Sequence, residues 1–279
     1  MNFLDKLKAI TAQNNSLLCV GLDPDLSKMP EHLQAQEDKV LAFNREIIDA
    51  THDLVCAYKI QIAFYSAFAK EHELASTINY IREHYPEVPI ILDAKRNDIG
   101  NTAIFYAKEA FERYKADAVT VNPYMGFDSL QPFLEYKDKG VMILCRTSNP
   151  GARDLQDLKV SGKPLYLYVA EKVVNEWNAN RNAMPIVGAT YPEEITEIRA
   201  IAGDIPFLVP GIGAQGGDIE ATVRSGINSQ GTGLIINSSR AILYASQDKD
   251  YAAAARKAAE QTRDQINQYR IVSATSSKP

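Results

Sequence analysis

The sequence predicts an α/β protein, a (β/α)8 TIM barrel that forms a single domain over residues 1–272. Eight short, nearly continuous apolar runs alternate with eight longer segments of helical periodicity. This alternation is typical of a parallel sheet covered by helices. The length of 279 residues suits one such barrel. No change in composition and no Pro- or Ser-rich linker divides the chain, and the polar residues 273–279 are expected to form a disordered tail.

The predicted strands are short runs rich in Val, Ile, Leu and Ala, and most of them end at a polar residue or at glycine. An uninterrupted apolar run of this length indicates a strand that is buried on both faces. In chain order, the predicted strands are Leu17–Asp23, Val55–Gln61, Pro89–Lys95, Ala118–Asn122, Val141–Thr147, Met184–Ala189, Pro206–Gly211 and Leu234–Asn237.

Each predicted strand is followed by a segment in which apolar residues recur every three or four positions, the spacing of an amphipathic helix. A doubly wound parallel sheet would show the same alternation, and it is the structural alternative to the barrel. The predicted helices are Asp38–Ala50, Glu73–Tyr85, Thr102–Tyr114, Ser129–Lys137, Leu165–Asn178, Glu193–Ile201, Asp218–Ser225 and Tyr251–Tyr269.

Polar residues collect at the carboxyl ends of the predicted strands, where a barrel of this kind forms its active site. The set contains two lysines, several carboxylates, a glycine-rich loop and an arginine. In chain order these ends are Asp23–Asp25, Lys59–Gln61, Asp93–Lys95, Asn122–Pro123, Arg146–Asn149, Pro210–Gly217 and Asn237–Arg240.

The composition excludes several classes of function. A net charge of −5 provides no basic field for nucleic acid or an anionic membrane. No apolar signal region precedes the first predicted strand, and no run reaches the roughly 18 apolar residues of a membrane span. Cys19, Cys56 and Cys145 lie far apart inside apolar runs, without metal-binding spacing, and they are expected to be reduced core thiols. We therefore expect a cytoplasmic protein.

A charged segment directly follows the apolar run Pro89–Leu92. Residues two apart on a strand share a face, so Asp93 and Lys95 are expected to point the same way, with Asp98 in the turn just beyond. Lys59, from another strand end, would complete an array of two acids and two lysines. A buried Asp–Lys ion pair with a purely structural role is the alternative interpretation.

An array of this kind favours acid catalysis by lysine. Two carboxylates beside two lysines hold the lysines in the charged form. A protonated lysine in a fixed position can serve as a general acid, whereas a Schiff-base lysine needs surroundings that favour its neutral form. The pattern therefore disfavours a class I aldolase. It favours delivery of a proton to a developing carbanion by fixed charges, without a metal or an organic cofactor.

A second cluster, at the carboxyl end of the seventh predicted strand, indicates a phosphate site. Gly211, Gly213 and Gly216 match G-x-G-x-x-G, but no acid follows about 20 residues later, as dinucleotide binding requires. Barrels often bind phosphate between the loops after strands seven and eight. Gln215 can donate through its amide and Arg240 through a bidentate guanidinium. A glycine-rich turn kept for tight packing is the alternative.

The run from Asp93 to Thr102, D-x-K-x-x-D-I-G-N-T, resembles the signature of the orotidine 5′-phosphate decarboxylases, in particular the longer bacterial subfamily, type 2. The resemblance implies a carboxy-lyase of de novo pyrimidine biosynthesis that converts orotidine 5′-phosphate to UMP and carbon dioxide. It also implies that Lys95 protonates C6 of the pyrimidine and that Asp93 flanks the substrate carboxylate. By the same match, Asp98 arrives from the partner subunit of a homodimer with shared active sites.

The resemblance also implies the substrate contacts. Asp23 and Lys59 would hold ribose hydroxyls, and Asn122 is similar to the end of the family's fourth strand. After strand five, Ser148 is expected to contact the pyrimidine, with Thr147 as the alternative. The loop at 149–163 is a candidate lid. The remaining predicted contacts are Thr102, which reaches across the dimer interface, and Gln215 and Arg240, which bind phosphate.

Two other functions are alternatives to this one. A Mg2+-dependent decarboxylase or aldolase acting on a ketose or hexulose phosphate would carry a glutamate on strand two, where this chain has Lys59, and a lysine there would repel the metal. A phosphate-binding protein without catalytic activity would be expected to lack a member of the charged array, and none is missing.

Overall fold

The computed structural model describes residues 1–212 and 218–275, and ten strands lie within them. Eight are the barrel strands, and two short ones form a hairpin between the fifth and sixth barrel strands. In chain order they are β1 (Leu18–Gly21), β2 (Ala57–Gln61), β3 (Ile90–Arg96), β4 (Ala118–Val121), β5 (Gly140–Arg146), β6 (Lys159–Val160), β7 (Lys163–Pro164), β8 (Ala183–Val187), β9 (Phe207–Val209) and β10 (Leu234–Ser238).

The barrel is closed, in the order β1-β10-β9-β8-β5-β4-β3-β2, and every strand pair within it is parallel. Because β1 pairs with both β10 and β2, the sheet has no free edge. The predicted (β/α)8 barrel is therefore confirmed, and the doubly wound alternative is excluded. The antiparallel hairpin of β6 and β7 lies outside the barrel.

The predicted helices are present, although their ends differ from the predicted ones. Two of the predicted helices, Thr102–Tyr114 and Leu165–Asn178, change to π-helix in their last turn, over Glu109–Arg113 and over Lys172–Glu176. The α-helices are α1 (Phe3–Gln13), α2 (Lys39–Thr51), α3 (Ala63–Ser66), α4 (Glu71–His84), α5 (Gly100–Lys108), α6 (Phe127–Leu134), α7 (Arg153–Gln156), α8 (Leu165–Glu171), α9 (Pro192–Ala202), α10 (Ile219–Gly226), α11 (Arg240–Leu243) and α12 (Tyr251–Thr275).

Helix α1 was not among the predicted elements, and it covers the amino ends of the strands. Its apolar face buries Phe3, Leu7 and Ile10. Phe3 packs so closely on the first residue of β5 that a Cβ atom on Gly140 would lie 2.7 Å from the Phe3 ring. The carboxyl termini of the strands, where the predicted site residues lie, are at the opposite end of the barrel.

The barrel strands are buried because the α-helices cover their outer faces. All residues of β1, β4, β8, β9 and β10 are buried. Strands β3 and β5 differ, since both become partly exposed near their carboxyl ends and both carry a register irregularity there. The regular strand pattern is therefore interrupted at the carboxyl ends of β3 and β5.

The last helix, α12, runs to Thr275, and residues 276–279 lie outside the described part of the chain. The predicted boundary between the barrel at 1–272 and a tail at 273–279 stays a prediction. None of the described helices is both long and apolar enough to cross a membrane.

Candidate active site

A cavity of about 260 Å3 lies at the carboxyl ends of the barrel strands, where the sequence predicts the active site. Three of the four predicted catalytic residues and two of the predicted substrate contacts line it. Its wall combines this charged group with apolar and glycine residues. The lining residues are Asp23, Lys59, Gln61, Phe64, Asp93, Lys95, Pro210, Gly211, Ile212, Asn237, Ser239 and Arg240.

A larger cavity, of about 400 Å3, lies at the opposite end of the barrel beside α1 and α12. Its charged lining residues are Lys8, Asp204 and Arg270. In the described part of the chain, these three form no ion pair with one another. Chemistry and not volume therefore identifies the smaller cavity as the candidate active site.

Lys59, on β2, is the centre of the charged array. Its Nζ lies 3.3 Å from Oδ1 of Asp23, beyond β1, and 3.1 Å from Oδ2 of Asp93, on β3. The Lys59 side chain is only 4% exposed, so its charge depends on these two carboxylates. Burial alone would lower the pKa of Lys59, but the two carboxylates outweigh it and raise the pKa above its ordinary value. Lys59 is therefore a fixed cation.

Asp93 connects the buried lysine to the accessible one. Its Oδ2 faces Lys59, while its Oδ1 accepts hydrogen bonds from Lys95 Nζ at 2.7 Å and from the Thr120 hydroxyl at 2.8 Å. Burial alone would raise the pKa of Asp93, but the two ammonium groups and these hydrogen bonds lower it to about 2. Asp93 is thus a fixed anion beside the cavity.

Lys95 is paired with Asp93 as predicted, but the backbone that carries it is not a regular strand. Its side chain is 46% exposed, so its ammonium group faces the open cavity while it donates to Asp93. The expected same-face pairing on a regular strand is replaced by a bulge in β3, and Lys95 has a φ of +46°, in the left-handed region. Strained backbone of this kind concentrates at functional sites.

Asp23 is held from three sides. Its Oδ1 accepts from Lys59 and from the backbone N–H of Gln61 at 3.2 Å, and its Oδ2 accepts from the Ser239 hydroxyl at 2.7 Å. The carboxylate therefore joins the ends of β1, β2 and β10. Ser239 was not among the predicted site residues, although it lies next to Arg240 in the predicted strand-eight end.

The phosphate end is described in part. Arg240, the first residue of α11, is exposed and lines the cavity. Gly211, at the other side of the cavity, has a φ of +104°, a conformation that favours glycine. Gln215 lies outside the described residues. Asn237, on β10, is 7% exposed, and its Oδ1 has no hydrogen-bond partner among the described atoms. That oxygen is a further acceptor at the cavity wall.

The segment after β5 is anchored by a buried arginine. The Arg146 guanidinium donates to both carboxylate oxygens of Glu194 at 2.6 Å and lies 2.7 Å from Asp157. Burial alone would lower the pKa of Arg146, but Glu194 and Asp157 raise it. The Thr147 hydroxyl is bonded to Asn149 and to Gln156 at 2.7 and 2.9 Å. The candidate lid is thus a folded segment with its own anchor.

A model of the orotidine 5′-phosphate decarboxylase / HUMPS family matches residues 16–258, nearly the whole barrel and its cavity. The chain belongs to this family. The orotidine 5′-phosphate decarboxylase of Dechloromonas aromatica is 60% identical over 270 residues, which cover 97% of this chain and 100% of that protein. The decarboxylase of Janthinobacterium sp. (strain Marseille) is 58% identical over 269 residues, covering 96% and 99%.

A solved structure agrees with these sequence relatives. The Leishmania donovani OMP decarboxylase superposes with a TM-score of 0.85 and is 39% identical, with 97% of this chain and 100% of that chain covered. The predicted family is confirmed by this structure and the two bacterial decarboxylases. Because the matches span both chains almost completely, the whole barrel and not a single motif carries the relationship.

Four further residues predicted from the decarboxylase signature or the strand ends are not among the described residues that line the cavity. Asp98 accepts a hydrogen bond from the backbone N–H of Ile99 at 2.8 Å, and Thr102 is exposed on α5. The Asn122 side chain accepts from the Tyr124 backbone N–H at 3.0 Å. Ser148 is half-buried, beside Gly188. The roles of these residues stay predictions.

Proposed function

We propose that this chain decarboxylates orotidine 5′-phosphate to UMP in pyrimidine biosynthesis, with Lys95 as the proton donor to C6. The observation that carries the proposal is the position of Lys95, whose Nζ lies at the open cavity and is held 2.7 Å from Asp93. An ammonium that is both oriented and accessible meets the geometric requirement for a general acid.

The bond between C6 and the carboxylate carbon breaks, and its electron pair remains on C6. A proton from the Lys95 ammonium forms the new C6–H bond, carbon dioxide leaves, and the neutral amine regains a proton from water. The negative charge that develops at C6 lies beside a cation that is already in place, so little reorganisation is needed during the reaction. Half-exposure of Lys95 is consistent with proton return from solvent.

Asp93 and Lys59 have different parts in the proposal. The carboxylate of Asp93 stays ionised because of its lysine neighbours and its hydrogen bonds, and it would flank the substrate carboxylate that leaves. Lys59 and Asp23 are nearly buried at the ends of their strands and would hold ribose hydroxyls. The fixed charges thereby favour the transition state more than the bound substrate.

Arg240 and Gln215 are proposed to bind the phosphate group. Arg240 lines the cavity, is exposed, and forms no ion pair with a carboxylate among the described residues, which leaves its guanidinium available to an anion. A phosphate monoester can accept two parallel hydrogen bonds from such a group. Ser148, or Thr147 in its place, is proposed to contact the pyrimidine.

A homodimer with shared active sites is also proposed. Large apolar side chains are exposed on the segment that carries Asp98 and Thr102 and on the loop that follows β4, and soluble monomers rarely expose many such residues together. Among the described residues, neither Asp98 nor Thr102 lines the cavity that holds the array of its own chain, so a second copy is the simplest source of the predicted contacts. The exposed residues are Ile99, Ile104, Phe105, Tyr124 and Met125.

The proposed location is the cytoplasm. Cys19, Cys56 and Cys145 are all buried and unpaired, as expected for thiols in a reducing compartment. Activity in the soluble fraction of gently broken cells, separated from membranes by centrifugation, would support this location. Recovery in the membrane pellet would oppose it.

The direct test is the ultraviolet absorbance of orotidine 5′-phosphate after addition of the purified protein in EDTA. Loss of the orotate absorbance with UMP as product would support the proposed reaction without a free divalent metal. Activity that appears only when Mg2+ is restored, with a ketose phosphate as substrate, would favour the alternative of a Mg2+-dependent decarboxylase or aldolase. The Lys95→Ala variant is expected to bind UMP but to lose turnover, and wild-type turnover in that variant would remove Lys95 from the proton-donor role.

A further inference from the structure

The bulge in β3 is built around one residue of the neighbouring strand. Leu92 pairs with Val119 and Arg96 pairs with Val121, so the three β3 residues between them lie opposite Thr120 alone. Within this bulge, Lys95 has a φ of +46°. A lysine avoids that region unless other contacts hold it there. The contacts of Thr120 therefore bear directly on how Lys95 is presented to the cavity.

Thr120 is completely buried, and its hydroxyl has two partners that belong to the charged array. The hydroxyl oxygen accepts from the backbone N–H of Lys95 at 2.9 Å and donates to Oδ1 of Asp93 at 2.8 Å. The directions are unambiguous because a backbone N–H can only donate and an ionised carboxylate can only accept. A single hydroxyl thus holds the backbone of the lysine and the carboxylate that orients its ammonium.

We propose that Thr120 is a positioning residue that fixes Lys95 as the proton donor through this hydroxyl group. Without the hydroxyl, the Lys95 N–H loses its acceptor and Asp93 Oδ1 loses one donor. The bulge can then relax towards a regular strand, in which a shift by one residue turns a side chain to the other face. The proposal rests on the role of Lys95 given above.

The first test is Thr120→Val, which keeps the branched shape and removes the hydroxyl. We expect kcat for orotidine 5′-phosphate to fall about 10- to 100-fold, the effect of moving a catalytic group by about 1 Å. KM should stay within about threefold because no substrate contact is removed. Thr120→Ser, which restores the hydroxyl, should recover kcat to within about threefold. Equal kcat for the Val and Ser variants, at the wild-type value, would overturn the proposal.

A matched control is Thr77→Val on α4, where a buried threonine hydroxyl accepts from Asn44 away from the cavity. It should lower the melting temperature about as much as Thr120→Val while leaving kcat unchanged. If Thr120→Val does not fold, Thr120→Ser and Thr120→Ala provide the comparison, because both lack the methyl group and differ only in the hydroxyl. A kcat ratio near one between those two would overturn the proposal.

The Lys95→Ala background separates this inference from the proposed function. Thr120→Val should cause no further loss of kcat in Lys95→Ala, since residues that act as a unit are not additive. Wild-type kcat in Lys95→Ala alone would reject the proton-donor role itself. An inactive Lys95→Ala with a fully active Thr120→Val would reject only the positioning role. A further 10-fold loss in the double variant would also reject it, because Thr120 would then act independently of Lys95.

Discussion

A Cβ atom on Gly21 would lie 1.9 Å from the Ser239 hydroxyl oxygen, so the last residue of β1 and the residue after β10 cannot both carry side chains in these positions. Ser239 uses that space to donate to Asp23. The hydrogen bond from Ser239 to Asp23 therefore requires a residue without a side chain at position 21. The conformation of Gly21 itself is not the reason, because only its missing Cβ makes the contact fit.

Gly21→Ala is expected to displace Ser239 and release Asp23, with loss of at least about 10-fold in kcat/KM. Steady-state kinetics and thermal unfolding would measure the two effects separately. Adding Ser239→Gly to Gly21→Ala removes the clash but does not restore the hydrogen bond from Ser239 to Asp23. The double variant should regain stability without regaining activity, and full recovery of both would show that the Ser239–Asp23 hydrogen bond has no part in the site.

The dependence of stability on pH should report the ionised state of Asp93. Its pKa is lowered from an ordinary value near 3.8 to about 2, so its contribution to stability is present above about pH 4 and is lost as the pH falls towards 2. The lost free energy of unfolding is expected to be about 2 kcal/mol. Urea unfolding of the wild type and of Asp93→Asn, from about pH 5 down to about pH 2, measures this loss of free energy. The free energy of unfolding should fall less steeply with decreasing pH in Asp93→Asn than in the wild type. An equal fall in both proteins would contradict the expectation.

Arg240→Ala is expected to weaken binding of UMP about 10- to 100-fold, which corresponds to one charged hydrogen-bonding group. Affinity for uridine, which lacks the phosphate, should be almost unchanged. Titration calorimetry with both ligands measures the difference. Arg82→Ala, on α4, is the control, because Arg82 donates to a backbone carbonyl outside the cavity. Equal loss of affinity for UMP and uridine would remove Arg240 from the phosphate site.

Mixing Asp98→Ala chains with Lys95→Ala chains should restore activity if the active sites are shared. In a heterodimer, one site combines both substitutions and the other is intact. Equal mixing at random yields half heterodimers, so about a quarter of wild-type activity is expected. Activity should rise only after the subunits exchange, which mass spectrometry of the intact dimers can follow. If each variant alone is inactive, proven exchange without any recovered activity would place Asp98 in its own chain's site.

Much of the site could be predicted because its residues follow strands that are recognisable from their apolar runs. Asp23, Lys59, Asp93, Lys95 and Arg240 were each assigned to a strand end, and all five line one cavity. The closed barrel brings those ends to one rim, so the order of the strands was enough to group them. The family signature then assigned chemistry to the group.

Other parts depend on contacts between distant segments, which no local pattern records. Thr120 was part of a predicted strand, and its polarity among valines was the only signal that it had a polar partner. Glu194 and Asp157 meet Arg146 from segments that are 48 and 11 residues away. The π-helical turns, helix α1 and the hairpin of β6 and β7 also went unpredicted, since their local sequences resemble those of ordinary helices and loops.

Hydrophobic periodicity and a short motif are local properties, so they were sufficient to predict the barrel, its family and the residue types at the strand ends. Tertiary structure decided how those residues meet. The prediction that Asp93 and Lys95 share a face assumed a regular strand, whereas their 2.7 Å contact forms across a bulge opposite Thr120. A left-handed lysine is unfavourable in isolation, so only the hydrogen bonds and packing of a neighbouring strand can select it.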